Sequence, residues 1–549
     1  MNDILRLVCI GVLLYSMLVL WQRWEKWPPN GNPSSAPAAF APAEGDAPPV
    51  PTQTLNASAE SPATETPAGG GETLRAETDW LLASIGADGG NLVSLQLKNH
   101  ANESGEYFAL LEDGARRHGA QSGLIGAENL PDHRSAYTLL NPSAPRALGG
   151  ENDNLLTLAL AAESGGIRLI KRYIFARGDY IIRLEMEAQN TGESAVSPKG
   201  YFQLFHNGVL SEQESSFLPS FFGAAQFTDA QKFQKTAYED IGEDSFTQKS
   251  EDGWIGFIQR YFAAVWLPSG GVQREYFMRA ANDGAPARIG VIAPFGEIAP
   301  GESKTLEMRL FAGAQEQEIL NALNEDNTAP GIHLVVDYGW LTIIAVPLFK
   351  LLAFVQSFAA NWGLSVIFLT FLIKLAFYPL ASVSYRSIAR MKELSPRIKN
   401  LQEAHKEDKQ KMQQAMMALY REKKINPLGG CLPVLLQIPV FIALYWVILG
   451  SVELRHAPFY LWIEDLSASD PYFVLPLLMG GAMFVQTKLS PAPPDPTQAM
   501  VLKVMPLFFT AFSLFFPAGL VLYWLVNTLL SIAQQWHITR ALARAKGGN

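Results

Sequence analysis

Cysteine is almost missing from this chain of 549 residues, which holds only Cys9 and Cys431, each inside or at the edge of an apolar run. That excludes a CxxC redox motif, a cysteine zinc site and a disulfide framework. A large polar stretch without any cysteine is compatible with export into a bacterial envelope. Charge is scarce too: Asp, Glu, Lys and Arg make up 17% against 48% hydrophobic residues, lean for a soluble protein. The histidines of the first half (His100, His118, His133, His206) are scattered. No glycine-rich phosphate loop follows a strand, and no GxSxG elbow occurs, so nothing there argues for catalysis. Carboxylates are absent from every apolar span after residue 361. Acidic relays and inverted repeats, the marks of a pump or ion transporter, are therefore missing.

What is present divides near residue 335 into a polar part and an apolar part. At the start, Leu7 to Trp21 is an apolar run between Arg6 and the pair Arg23 and Lys26. A cleaved signal peptide would suit its length, but the small residues Ala36, Ala38 and Ala39 lie beyond Trp24, Trp27 and two prolines. An uncleaved anchor over 1–27 with an aromatic interfacial end is the better reading. Residues 28–76, rich in Pro, Ala, Ser, Thr and Gly, read as a disordered tether with nothing to bury.

Residues 77–330 carry the pattern of an exported β-sandwich. Ile182, Leu184, Met186 and Ala188 fall on one face of an extended segment, and Arg183, Glu185 and Glu187 on the other. Lys171 to Ala176 precedes it across a Gly178-Asp179 turn. Arg177-Gly178-Asp179 spells an adhesion tripeptide, but turn residues between two strands make a hairpin the better account. Leu92–Leu97, Trp254–Trp266 and Thr305–Phe311 read as further strands, and Gln315–Asn324 as a closing helix.

In the apolar half, Trp362–Leu380 is long enough to cross a bilayer yet holds Lys374. An ammonium at that depth costs at least ~2.5 kcal/mol, so a functional role is the default. The competing account is that its stem snorkels to headgroups six residues away. Before this span, residues 333–361 hold Pro347, Lys350, Gln356 and Ser357 within an apolar stretch, which fits an interfacial amphipathic helix lying flat. After it, residues 385–426 hold eleven basic and five acidic side chains, a net +6, while the remaining 32 basic and 47 acidic residues leave −15. Apolar positions there recur at helical spacing and predict a basic helical hairpin, with Arg386, Arg390, Lys392, Arg397, Lys399, Arg421, Lys423 and Lys424 among its charges.

Further spans are read at Cys431–Gly450, Pro471–Gln486, Val504–Phe516 and Leu520–Gln534, with a basic tail at 538–549. Val504–Phe516 has 13 residues, ~20 Å of helix against a ~30 Å hydrocarbon core, so the bilayer beside it would thin. The positive-inside rule puts 385–426, 488–503 and the tail in the cytoplasm and the 451–470 loop outside, with the β-domain also outside and both termini inside. Two features pull the other way. The charges flanking the first anchor favour the reverse orientation, and a crossing helix at 340–360 would put the β-domain inside. Polar side chains within the spans mark what they handle: Thr370 and Lys374 one turn apart, then Gln437, Tyr523, Trp524 and Asn527. For Gln437 a helix-to-helix hydrogen bond is the alternative, and for Tyr523 and Trp524 an interfacial belt.

The run from Tyr378 to Tyr445, with YPL, SYRSIARMKELSPRI, MMALYREKKINPLGGCLP and LLQIPVFIALYW, closely resembles the YidC/Oxa/Alb family of membrane protein insertases. GSVELRHAPF (450–459), LWIEDLSASDPY (461–472) and FPAGLVLYW (516–524) extend the likeness. RGDY (177–180) and YFAAVWLP (261–268) add looser matches in the exported domain. The anchor and large β-domain are similar to those of the Gram-negative YidC branch. The resemblance implies an α-helical polytopic inner-membrane protein whose five-helix core, 362–537, encloses a hydrophilic groove open to cytoplasm and lipid. It implies a non-enzymatic insertase and chaperone for nascent membrane proteins, alone or with the Sec translocon, with no cofactor, metal or small-molecule substrate. The groove residues would be Lys374, Thr370, Gln437, Tyr523 and Trp524, among membrane lipids, and the basic hairpin would receive substrates or the ribosome. Lys374 stands where the family usually has arginine, keeping the charge but losing the planar fork. A scaffold of the translocon, acting mainly through the periplasmic domain, is the alternative function.

Overall fold

The computed structural model describes residues 73–102, 104–143, 145–150, 153–210, 221–280, 286–404, 409–423, 432–489 and 496–547. The expected anchor, and the tether up to residue 72, lie outside these residues. Extended structure begins at Thr73, four residues inside the stretch read as tether.

Two nine-stranded sheets, every pair of neighbouring strands antiparallel, form the first part. One sheet runs, in spatial order, Thr73–Glu77, Leu81–Gly86, Asn91–Ala101, Tyr107–Asp113, Arg117–Ile125, Lys199–His206, Ala287–Pro294, Arg274–Arg279 and Phe246–Ser250. The other runs Lys232–Ala237, Gly223–Thr228, Trp254–Ile258, Phe262–Pro268, Ser303–Ala314, Ile181–Asn190, Ile167–Ala176, Leu155–Ser164 and Thr138–Leu139. The alternation at 181–190 buries Ile182, Leu184, Met186 and Ala188 and leaves Arg183, Glu185 and Glu187 half-exposed. Gly178, at φ +64°, makes the expected hairpin turn.

Trp254–Trp266 is two strands rather than one. Trp254–Ile258 and Phe262–Pro268 pair with each other across a turn closed by the Gln259 N–H to Phe262 carbonyl bond of 2.9 Å. Both are buried on both faces, so their sequence lacks alternation and hides the break at Gln259-Arg260. Trp254, Trp266, Tyr180 and Tyr276 fill the space inside.

A short helix α1 (Gln317–Glu325) follows the last strand, and helices account for most of the remainder. They are α2 (Thr342–Ala359), α3 (Trp362–Ala376), α4 (Tyr378–Glu393), α5 (Ser395–Ala404), α6 (Lys409–Glu422), α7 (Leu432–Gly450), α8 (Val474–Leu489), α9 (Pro496–Ser513) and α10 (Ala518–Gly547).

Three of these differ from the sequence reading. The span expected to end at Leu380 stops at Ala376 and turns by 68° into α4. Pro379 disfavours helix at the residue before it, and as the second residue of α4 its missing N–H is one that no helix bonds internally. α9 has 18 residues rather than 13, because it starts in the polar Pro496-Thr497-Gln498 segment. Its apolar part, Met500–Ser513, still falls short of the ~20 residues a full crossing needs. α10 runs unbroken into the basic tail.

By length and composition α2 suffices to cross a membrane, and α3 with α4 would make another such unit. α2 buries Ala345, Phe349 and Leu352, while Ile343, Lys350, Phe354 and Phe358 line its exposed side.

Candidate functional site: a polar seam between helices

α10 organises the site. Tyr523, Asn527, Ser531 and Gln535 recur every four residues and so lie along one face of it. Against this stripe stands α3, whose Thr370 and Lys374 are also one turn apart. The Lys374 Nζ donates to Ser531 Oγ at 2.7 Å, and Ser531 in turn donates to the Asn527 carbonyl at 2.7 Å. Tyr385 of α4 also bonds the Ser531 side chain. Gln437 of α7 donates through Nε2 to the Tyr523 hydroxyl.

Two polar pairs therefore share α10, eight residues or ~12 Å apart along it. Between them the buried Asn527 Oδ1 has no hydrogen-bond partner. An unpaired amide oxygen among helices is costly unless water reaches it. Lys374 remains half-buried, and its one described side-chain partner is the neutral Ser531. The arrangement can offer a positive charge and a row of hydroxyls and amides to a passing polar segment without making or breaking a bond.

Not every candidate joins this row. Thr370 is fully buried and donates its hydroxyl to the Val366 carbonyl of its own helix at 2.6 Å. Trp524 faces an aromatic cluster, its ring 4.7 Å from Phe441 and 4.9 Å from Phe509. On the hairpin helices Arg386, Arg390, Arg397, Arg421 and Lys423 are exposed, Lys423 lying 2.7 Å from Glu422. Lys392 and Lys399 fall on α4 and α5, and Lys424 is outside the described residues. Sequence reasoning missed Ser531, Gln535 and Tyr385. The four-residue spacing from Tyr523 was the available signal for Ser531 and Gln535, and nothing comparable marked Tyr385.

The end of the helices nearest the β-domain is tied by the 451–473 loop. Ala518 and Gly519, at the start of α10, donate backbone N–H groups to Ala468 and Leu466 at 2.7 and 2.9 Å. Asn361, before α3, donates to the Pro458 and Phe459 carbonyls at 3.1 and 3.2 Å. A Cβ on Gly363 would lie 2.2 Å from the Phe459 ring, so only glycine allows this approach.

The same loop enters the β-domain. Buried Arg455 donates to the Ala101 carbonyl at 2.6 Å, with its guanidinium 5.4 to 5.9 Å from the rings of Phe108, Tyr261 and Phe262. Glu453 accepts the Gln317 N–H at 2.9 Å, filling an end of α1 that Glu316 leaves uncapped. Burial pushes the Glu453 carboxyl from 4.5 up to about 7. Arg260 donates to the Leu449 carbonyl of α7 at 3.0 Å, and the Tyr338 hydroxyl lies 3.0 Å from Ser451 Oγ.

Profiles of two families cover the chain: a YidC periplasmic domain matches residues 73–351, and a 60Kd inner membrane protein matches residues 354–545. The membrane protein insertase YidC of Methylobacillus flagellatus is 44% identical, over 100% of this chain and 99% of its own. The chain belongs to the YidC family of membrane protein insertases. The Aromatoleum aromaticum insertase is 45% identical over 99% of this chain and 98% of its own, and that of Dechloromonas aromatica 43% over 100% and 99%. A crystal structure of an active YidC insertase aligns with 84% of this chain and 93% of that one at 16% identity, with a TM-score of 0.39, too loose to carry an argument. Family membership places the chain in the inner membrane with its β-domain in the periplasm and nascent membrane proteins as its clients.

Proposed function

We propose that this insertase moves short hydrophilic segments of its clients across the inner membrane along the α10 seam, with Lys374 attracting their acidic residues. The observation that carries this is Lys374 held half-buried by Ser531, with the unpaired Asn527 amide one turn away. Among the described residues no carboxylate pairs with this charge, which leaves it available to one arriving on a client. The seam opens toward the cytoplasm, while the 451–473 loop closes its periplasmic end. α2 lies flat in the outer leaflet, since Lys350 sits midway along the same exposed face as Ile343, Phe354 and Phe358, where a crossing helix would hold it at the bilayer centre. Both termini are cytoplasmic. The exposed basic hairpin receives clients from the ribosome, and the Sec translocon is the partner for larger ones.

The test is cysteine accessibility. Single cysteines at 374 and 527, in a chain with Cys9 and Cys431 replaced by serine, react with a membrane-impermeant reagent from the cytoplasmic side alone. Labelling from neither side would overturn the wet seam.

A further inference from the structure

The 451–473 loop ties three of its four carboxylates into the chain, leaving Glu464 exposed, and turns aromatic groups outward. Asp470, almost fully buried, accepts the Trp462 indole N–H at 2.9 Å and the Tyr472 N–H at 3.0 Å on one oxygen, and the Leu475 N–H at 2.7 Å on the other. That single carboxylate ties two turns together, one at 459–462 and one at 470–473, and caps the start of α8. Asp465 bonds the Ser467 N–H and hydroxyl, both at 2.7 Å, and Glu453 is committed to α1. With these carboxylates withdrawn, the two turns display Tyr460, Leu461, Tyr472 and Phe473.

Leu461 is 87% exposed at φ +61°, and Phe473 is also exposed at φ +57°. The left-handed conformation is costly for side chains other than glycine, asparagine and aspartate. Leu461 stands almost wholly clear of the chain and Phe473 about half clear, so packing among the described residues offsets little of that strain. Strain held on an exposed apolar tip points to a surface that covers the tip.

We propose that these two turns insert into the periplasmic leaflet at headgroup depth, as a lipid anchor for the outer end of the insertase core. The argument for lipid is continuity, and it rests on the membrane orientation proposed above. Phe473 leads directly into α8, whose exposed Leu477 and Leu478 continue the apolar surface along the helix. On the other side Asn361, which bonds Pro458 and Phe459, follows the end of α2 and its exposed Phe354 and Phe358. Tyrosines with an apolar body and a polar tip suit the interface between these surfaces and water.

A Leu461→Cys variant of the full chain, with Cys9→Ser and Cys431→Ser, carries an environment-sensitive nitrobenzoxadiazole label in phosphatidylethanolamine and phosphatidylglycerol vesicles. Headgroup-level nitroxide lipid quenches it at least twofold more than nitroxide near the acyl terminus, and aqueous iodide has little effect. Water-like emission quenched by iodide would overturn the anchor, as would a shielded label that no nitroxide reaches, which would mean a protein covers the tip. The same label at Leu477→Cys reports the membrane reading separately. Quenching there by acyl-chain nitroxide, with none at 461, sinks the anchor alone, whereas quenching at neither position sinks the orientation on which it rests.

Discussion

At the scale of single residues the chain concentrates its consequences in a few charges. Lys374→Glu abolishes insertion of clients with acidic translocated segments and Lys374→Arg is tolerated, both measured by protease protection in reconstituted vesicles. Normal insertion by the glutamate variant would remove the charge from the mechanism. Arg455 is the second such residue, because truncation strands the Ala101 carbonyl and empties a space among three rings. Arg455→Ala costs about 2–3 kcal/mol of the stability joining the β-domain to the helices, seen as a lowered thermal transition in detergent. Glu453 gives that joint a pH dependence. Its folded carboxyl titrates near 7 instead of 4.5, so the folded form binds the extra proton and stability declines as pH rises from about 4.5 through 7. The opening free energy of α1, from hydrogen exchange corrected for the pH dependence of the intrinsic rate, therefore falls across that window in the wild type and stays level in Glu453→Gln. An equal slope in the variant would assign the dependence elsewhere. Lys374 was legible in the sequence because charge is conspicuous among apolar neighbours. Ser531 was not, since a serine in such a helix is commonly spent on its own backbone, and this one serves both the Asn527 carbonyl and Lys374.

At the scale of elements, legibility followed how many faces of each element meet water. The strand at 181–190 has one wet face and announced itself by alternation. The hairpin at 254–268 has none, and its turn was invisible until the pairing was seen. The bend after Ala376 was written in Tyr378-Pro379, but the apolar run carried the eye across it. α9 began earlier than expected because polar residues can extend a helix beyond the hydrocarbon, where hydropathy has nothing to report. Its contact with α8 is close: a Cβ on Gly480 would lie 2.0 Å from Thr510 Oγ1. Gly480→Val should force these helices apart at a cost of about 1–3 kcal/mol. Thr510→Ala in the same chain should recover part of the loss, and failure to recover any would mean the two sites do not touch.

For the whole molecule, the issue is what the β-domain contributes. Removing residues 80–320 separates an insertase from a translocon scaffold, because the insertase keeps most of its activity on small clients while a scaffold loses it. The deletion also exposes Arg455, Glu453 and the end of α7 where Arg260 capped it, so the variant should melt earlier even while it functions. Loss of insertion at a temperature where the helices remain folded would favour the scaffold.

The unequal tying of the two ends of α10 also bears on direction. At its start, Ala518 and Gly519 are bonded to a loop that is itself fastened to α3 and to the β-domain. Farther along, the helix is held by side chains, Lys374 and Tyr385 on Ser531 and Gln535 on the Leu489 carbonyl at 3.3 Å, and then runs on as a single rod to Gly547. A rod clamped through its backbone at one end swings widest at the other, so, with the proposed orientation, thermal motion would widen the cytoplasmic mouth more often than the periplasmic one. Direction of travel would then be a property of stiffness.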